Sequence, residues 1–415
     1  MRKVGSWSPK GDWLFAALGD PLNFKVLKTE QGGEPFGKTT MVIFAADQNV
    51  YNKVAALAQQ AGYPEWMINA YVLPSALLNL NQADPANNDS LLILLRTANF
   101  ANAAQQQAYL DNTQYAAVYR VTPTAGVQLD PLPFPTPRLR PRGWLTENQL
   151  VGLNLDAALD DLGKAIVKKH SAFPEARPFG SIRWFVDSRE LLDASKSSSS
   201  NPLAHQFAAG EASDTPYLRT AEGGKCANFT LGNDDLVVAY GVNHAATGLA
   251  IYSMFGVYGD WITDPNTGTD PYNQCPADKP YYPYVYGCGQ YLWNGVVGMN
   301  SDSEYFRSSV AQYLPNHPAA KYLYAIKVLR NAPSKDDPTY NYSVVVPREP
   351  DTTPGTNPPQ GPAYAIPLDR PITLGYRAYV NPATNVGAAY TDIVYDRAIW
   401  FGQKAGTSAQ CDPFH

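Results

Sequence analysis

A histidine placed where a strand gives way to a turn, between an asparagine and a run of small residues, is the arrangement in this sequence best suited to chemistry. The stretch VVAYGVNHAATG (237–248) runs as an apolar strand through Tyr240, reaches Asn243 and His244, and turns into a second aromatic strand. An imidazole can serve there as a general base and a phenol as a hydrogen-bond donor. Alternation along an extended chain puts Tyr240 and His244 on one face. The sequence therefore predicts that the two lie on neighbouring positions of a sheet edge, with Asn243 bonding the turn 245–248. RWFVDSRE (183–190) offers Arg183, Asp187 and Arg189 as partners. The candidate catalytic set is His244, Tyr240 and Asp187, and Asn243 and Arg183 are candidate ligand contacts. The same residues also read as a structural histidine that holds a hairpin by hydrogen bonds.

Three other stretches invite a chemical reading. DKPYYPYVYGCGQYLWNG (278–295) concentrates aromatic side chains, Tyr284 and Trp293 among them, in an insertion spanning 260–294. Flat rings with polar tips suit carbohydrate, aromatic or protein partners, or they cover the sheet beneath. DPNTGTD (264–270) alternates oxygen ligands at Asp264, Asn266 and Asp270. Calcium loops use such spacing, but the glycine comes one position early and no bidentate glutamate trails it in register, so these residues read first as an Asx/Gly turn, with calcium the other reading. No other cofactor is expected. Gly32 to Thr39 spells G-x-x-x-x-G-K-T, yet Lys38 leads into the β-branched run TTMVIFAA (39–46). A phosphate-cradling loop needs a helix there, so nucleotide is not an expected partner.

Several chemistries leave no trace. There is no G-x-S-x-G elbow and no H-E-x-x-H, and the five histidines are scattered. A net charge of −5 makes nucleic acid an unexpected partner. No apolar run approaches the ~20 residues of a membrane span. The run 13–18 is short for a signal peptide, and the chain reads as a mature form with an added Met1.

The composition points to an extracellular or periplasmic setting. Charged residues make up 17% of the 415 positions and aromatics 12%, with 27 Tyr and 35 Pro. That suits a strand- and loop-rich protein better than a helical cytosolic enzyme. The four cysteines, Cys226, Cys275, Cys288 and Cys411, form no C-x-x-C pair. Cys275 with Cys288 closes a short loop and leaves Cys226 for Cys411; four reduced buried thiols are the other reading.

The elements that must position these residues read as α+β. In the first third, strands 39–46, 68–74, 90–97 and 115–122 alternate with helices 47–61 and 101–112, in the order βαββαβ. This predicts an N-terminal ferredoxin-like domain over 1–122. Asp47 reads as its first helix's N-cap and Gly62 as the stop. A proline-rich connector (123–143) leads to a larger strand-rich domain (144–415) with an antiparallel or mixed sheet. This second domain opens on a helix near Thr146 with an apolar stripe at Leu150, Leu153, Leu159, Leu162 and Ile166. Its strands are predicted at 181–187, 227–232, 235–242, 248–259, 321–330, 342–347 and 372–380. The residues suit two functions: an extracytoplasmic hydrolase- or lyase-like enzyme with its cleft near His244, or a non-catalytic extracellular binding or surface protein that uses the Tyr/Trp-rich insertion to hold carbohydrate or aromatic ligands.

Overall fold

The computed structural model describes residues 2–7, 13–15, 22–29, 38–72, 90–95, 103–112, 116–121, 140–184, 213–259, 297–348, 365–402 and 409–410. The chain divides into two compact units, Met1–Arg140 with Asp187–Ser213, and Pro141–Val186 with Asp214–His415.

In the first unit, β1 (Arg2–Trp7), β2 (Trp13–Phe15), β3 (Met41–Ala45), α1 (Gln48–Gln60), β4 (Ile68–Val72), β5 (Ser90–Leu95) and α2 (Ala103–Asp111) come in this order. Lys38 to Thr40 lead into strand β3, as the residue types demand. Asp47 caps α1 by accepting from Val50 N at 2.9 Å, and Gly62 stops it at φ +97°. Ile43, Ala45, Ala58 and Ile68 form a small core between helix and strands.

The ferredoxin-like arrangement is not what these strands form. That fold splits its βαβ units with an antiparallel strand between the parallel pair. Here β3 and β4 pair directly in parallel, from Met41 with Ile68 to Ala45 with Val72. β5 pairs antiparallel with β1 instead, in a separate sheet of order β2–β1–β5. Residues 116–121, expected as the last strand, are exposed and unpaired in any sheet. Spacing locates elements, but pairing depends on partners far away in the chain, here Arg2–Trp7.

The second unit opens with α3 (Glu147–Val151) and α4 (Leu155–Lys169). Next are strands β6 (Glu175–Arg183), β7 (Tyr217–Glu222), β8 (Lys225–Asn228) and β9 (Leu236–Val242). A single helical turn, α5 (His244–Thr247), leads to β10 (Tyr252–Gly259). Then come β11 (Val297–Asn300), α6 (Glu304–Ser308), β12 (Leu323–Leu329), β13 (Ser343–Val345), β14 (Ile372–Tyr379), β15 (Arg397–Gly402) and β16 (Ala409–Gln410). They build a sheet in the order β11–β10–β14–β7–β6–β15–β9–β12–β13, to which β8 and β16 attach at β7. Only β12–β13 is parallel, so the sheet is mixed. Its two ends, β11 and β13, adjoin, which curls the sheet close to a barrel. The strand-rich α+β expectation holds for this unit.

Strand β9 shows why the chain folds this way. All seven of its residues are buried. Val237 and Ala239 face the interior with Phe255, Tyr324 and Trp400. Leu236, Val238 and Val242 face outward beneath Leu155, Leu159, Leu162 and Ile166 of α4. A strand covered on both faces reads as a continuous apolar run. Each fully buried Leu or Ile of the α4 stripe contributes ~1.5–3 kcal/mol relative to an exposed one.

Gly241 is the exception to this filling. It pairs with Tyr324 on β12. A Cβ on Gly241 would overlap the carboxylate of Asp396, which lies against the bare backbone. Gly241→Ala is therefore expected to cost ~1–3 kcal/mol in urea unfolding, the range for overpacking a filled core. A variant as stable as the parent would mean that Asp396 moves aside freely.

Candidate functional site

Thr146 begins α3 with a capping box: its hydroxyl accepts from Gln149 N, and the Gln149 side chain accepts from Thr146 N. The next residue, Glu147, is fully buried. The main chain anchors it, since Glu147 N donates to Asp392 O at 2.9 Å and Val394 N donates to Glu147 Oε2 at 2.8 Å. Its Oε1 accepts from His244 Nδ1 and from Thr247 Oγ1, each at 2.8 Å.

His244 reaches this carboxylate because β9 stops at Val242 and the chain coils. Asn243 caps the turn α5, its side chain accepting from Ala246 N at 3.3 Å. Asn243 N donates to Tyr322 O, and Ser253 Oγ donates to Asn243 Oδ1. Gly248 closes the turn at φ +81°. The expected bond from Asn243 to the turn is present. The expected sheet edge is not: β9 lies between β15 and β12.

On the other side of the ring, His244 Nε2 faces Asp396 Oδ2 at 3.4 Å, and the Tyr324 hydroxyl donates to Asp396 Oδ1 at 2.9 Å. Both ring nitrogens thus point at carboxyl oxygens, an arrangement that a proton on each nitrogen satisfies. Burial alone would lower the His244 pKa. Glu147 and Asp396 overcome that and hold it up at about 10. Burial raises the Asp396 pKa, and His244 and Tyr324 offset part of the rise. The three ionisable groups cannot converge on one cation, because the carboxylates bind opposite edges of the imidazole. Among the described residues, no group of three or more His, Cys, Asp or Glu could hold a metal ion.

The other expected residues lie elsewhere. Tyr240 leaves His244 because alternation ends where the strand does. Its ring packs outward in the α4 core, with its hydroxyl 2.9 Å from where a Cβ on Gly163 would sit. It lines an open groove of about 530 Å³ with Asp160, Lys164, Lys168, Arg397 and Ile399. His244 does not line it. Arg183 lies at the end of β6, its guanidinium 4.6 Å from the Tyr390 ring, and makes no bond to His244. Asp187, Arg189, Tyr284, Trp293, Asp264, Asn266, Asp270, Cys275, Cys288 and Cys411 lie outside the described residues. Cys226 is disulfide-bonded.

Sequence reasoning missed Glu147, Asp396 and Tyr324. Glu147 has the local appearance of a solvated acid in a first helical turn. Asp396 sits in a run, DIVYDRAIW, with no motif around it. The one local signal was Gly241, a glycine inside an otherwise apolar strand, which marks a close approach by another group.

A second histidine gives the contrast. His170 caps α4 and meets the Tyr313 hydroxyl at 3.2 Å. Burial first, then Lys327 and Lys169, lower its pKa to about 4. The two histidines tilt stability in opposite directions. Between about 4 and 6.5 the unfolded chain binds the His170 proton more tightly, so stability from this group rises with pH. Between 6.5 and about 10 the folded chain binds the His244 proton more tightly, so stability from that group falls as pH rises. The raised Asp396 pKa likewise favours the folded protonated form, and that contribution fades upward from 3.8. Melting temperature against pH is expected to fall on the alkaline side, and His244→Gln should flatten that limb. His170→Gln should flatten the acid limb. Removing the imidazolium also leaves two buried carboxylates unpaired, so His244→Ala should lose ~3–5 kcal/mol. An alkaline limb unchanged in His244→Gln would contradict the assignment.

No protein-family model, curated protein or solved structure matches this chain.

Proposed function

We propose that this is a non-catalytic extracytoplasmic binding or surface protein that engages carbohydrate or aromatic ligands through its Tyr/Trp-rich insertion (260–294). The observation that carries the reading is the state of His244. The residue best placed by sequence to act as a base is 2% exposed, and both its nitrogens are committed to protein carboxylates. A general base needs a free nitrogen within reach of a substrate proton. An imidazolium with a pKa near 10 has none at neutral pH. An extracytoplasmic hydrolase or lyase that uses His244 is the alternative, and it requires Glu147 or Asp396 to release the ring.

An oxidising compartment is supported by the disulfide at Cys226. β16 pairs Gln410 with Ala227 and Ala409 with Asn228. In the sequence Cys226 directly precedes Ala227 and Cys411 directly follows Gln410, which favours the Cys226–Cys411 pairing. No helix among the described residues is long and apolar enough to cross a membrane.

A panel of soluble polysaccharides and aromatic glycosides tests the proposal. The full chain is expected to retain a subset on affinity electrophoresis and to release no product from any of them. A double variant, Tyr284→Ala with Trp293→Ala, should weaken retention ~30-fold or more, the loss expected for aromatic anchors. Product formation that disappears in His244→Gln would establish the enzyme reading instead. Unchanged retention in the double variant would remove the insertion from the site.

A further inference from the structure

Arg377 differs from Arg330, Arg177 and Arg397 of the second unit in how its guanidinium is satisfied. Arg330 spends all three nitrogens on the main-chain carbonyls of Leu231, Pro347, Ile366 and Pro367. Arg177 forks onto Glu222 through Nε and Nη2, each at 2.7 Å, and Arg397 pairs with Asp160. Arg377 makes one hydrogen bond, from Nη1 to the Tyr379 hydroxyl at 3.0 Å. Its Nε is buried without an acceptor. The groups that face it are tyrosines, and among the described residues no carboxylate pairs with it. The guanidinium carbon lies 4.8 Å from the centre of the Tyr217 ring and 5.5 Å from that of Tyr258.

The sheet is shaped to make this arrangement. Along β14, Ile372, Leu374, Tyr376 and Ala378 fill the interior core. Alternation turns Gly375, Arg377 and Tyr379 to the outer face. Across the strands, Arg377 sits between Tyr217 of β7 and Met254 of β10, and Gly375 pairs with Gly256. A Cβ on Gly375 would overlap the rings of Trp184 and Tyr258, which meet edge to face at 5.0 Å. The paired glycines let these rings lie low on the sheet, and the Tyr258 ring flanks the guanidinium together with that of Tyr217. Tyr217 and Tyr258 are buried, while Arg377, Tyr379, Tyr252 and Met254 keep part of their surface in solvent.

A guanidinium withdrawn from water without a counterion is costly, and cation–π contacts return only part of that cost. Its planar fork matches carboxylate and sulfate oxygens. We infer that Arg377 anchors a binding site for an oxyanion, carboxylate or sulfate, carried on a ring that lies against the surrounding tyrosines. The inference is independent of the 260–294 insertion as a ligand platform.

Calorimetric titration of the full chain at constant ionic strength, with sodium glucuronate, glucose 6-sulfate and glucose as probes, tests it. At least one acid is expected to bind saturably with Kd of ~0.1–1 mM, while glucose does not bind. Which acid binds names the anion. Arg377→Met breaks no ion pair and should fold and lose the response. Arg377→Lys keeps the charge but not the fork and should bind ~10-fold more weakly. The inference is overturned if neither acid binds the parent chain, or if Arg377→Met binds as the parent does. Should Arg377→Met not fold, parent-like affinity in Arg377→Lys would overturn it equally.

Discussion

The second unit depends on one buried imidazolium held between two carboxylates. Glu147 lies on the first turn of α3, His244 on a single helical turn after β9, Tyr324 on β12, and Asp396 just before β15. Their bonds join four segments of the chain, and the one from His244 to Asp396 spans 152 positions. Each charge is fully desolvated, so none would be tolerated alone. Together they satisfy one another, and the main-chain amide of Val394 takes the remaining Glu147 oxygen. Such a cluster contributes modestly to net stability compared with an apolar core of the same shape. Its stronger effect is on specificity, because any register of β9, β12 and β15 other than the one seen strands a charge in the core.

The same sheet shows two uses of glycine. Gly241 removes a side chain from the strand beside the cluster, so that the Asp396 carboxylate can reach its partners. Gly375 and Gly256 do the corresponding work on the outer face, where Trp184 and Tyr258 occupy the space. In both places the missing Cβ brings a polar or aromatic group close to bare backbone. Inside, the result is a closed cluster with every donor spent. Outside, it is a cation on an aromatic floor with donors unspent. That difference separates a structural charge from one with capacity for a ligand.

Much of the fold was legible in local sequence. Asp47 and Gly62 bound α1 as their residue types imply, and Thr146 opens α3. The α4 stripe at Leu159, Leu162 and Ile166 packs as its spacing requires. Pairing was not legible, because Met41–Ala45 and Ile68–Val72 carry no mark of whether a third strand divides them. β15 escaped notice because Ile399 and Phe401 are buried on one face and Ala398 and Trp400 on the other, which erases alternation. β7 escaped for a different reason, since a central Arg219 makes YLRTAE look solvated. At the candidate site, Asn243 and His244 could be read and their partners could not. An acid in a first helical turn is ordinarily exposed, and only tertiary packing reverses that for Glu147.

The charge state of His244 tests the central claim most directly. Nitrogen-15 NMR of the folded protein, with His244 assigned through its variant, reports the protonation of each ring nitrogen. Between pH 5 and about 9 both nitrogens are expected to stay protonated, with no titration step, because the pKa is held near 10. A neutral tautomer at pH 8, or a step near the ordinary histidine value of ~6.5, would contradict the carboxylate clamp and return His244 to the candidates for a general base.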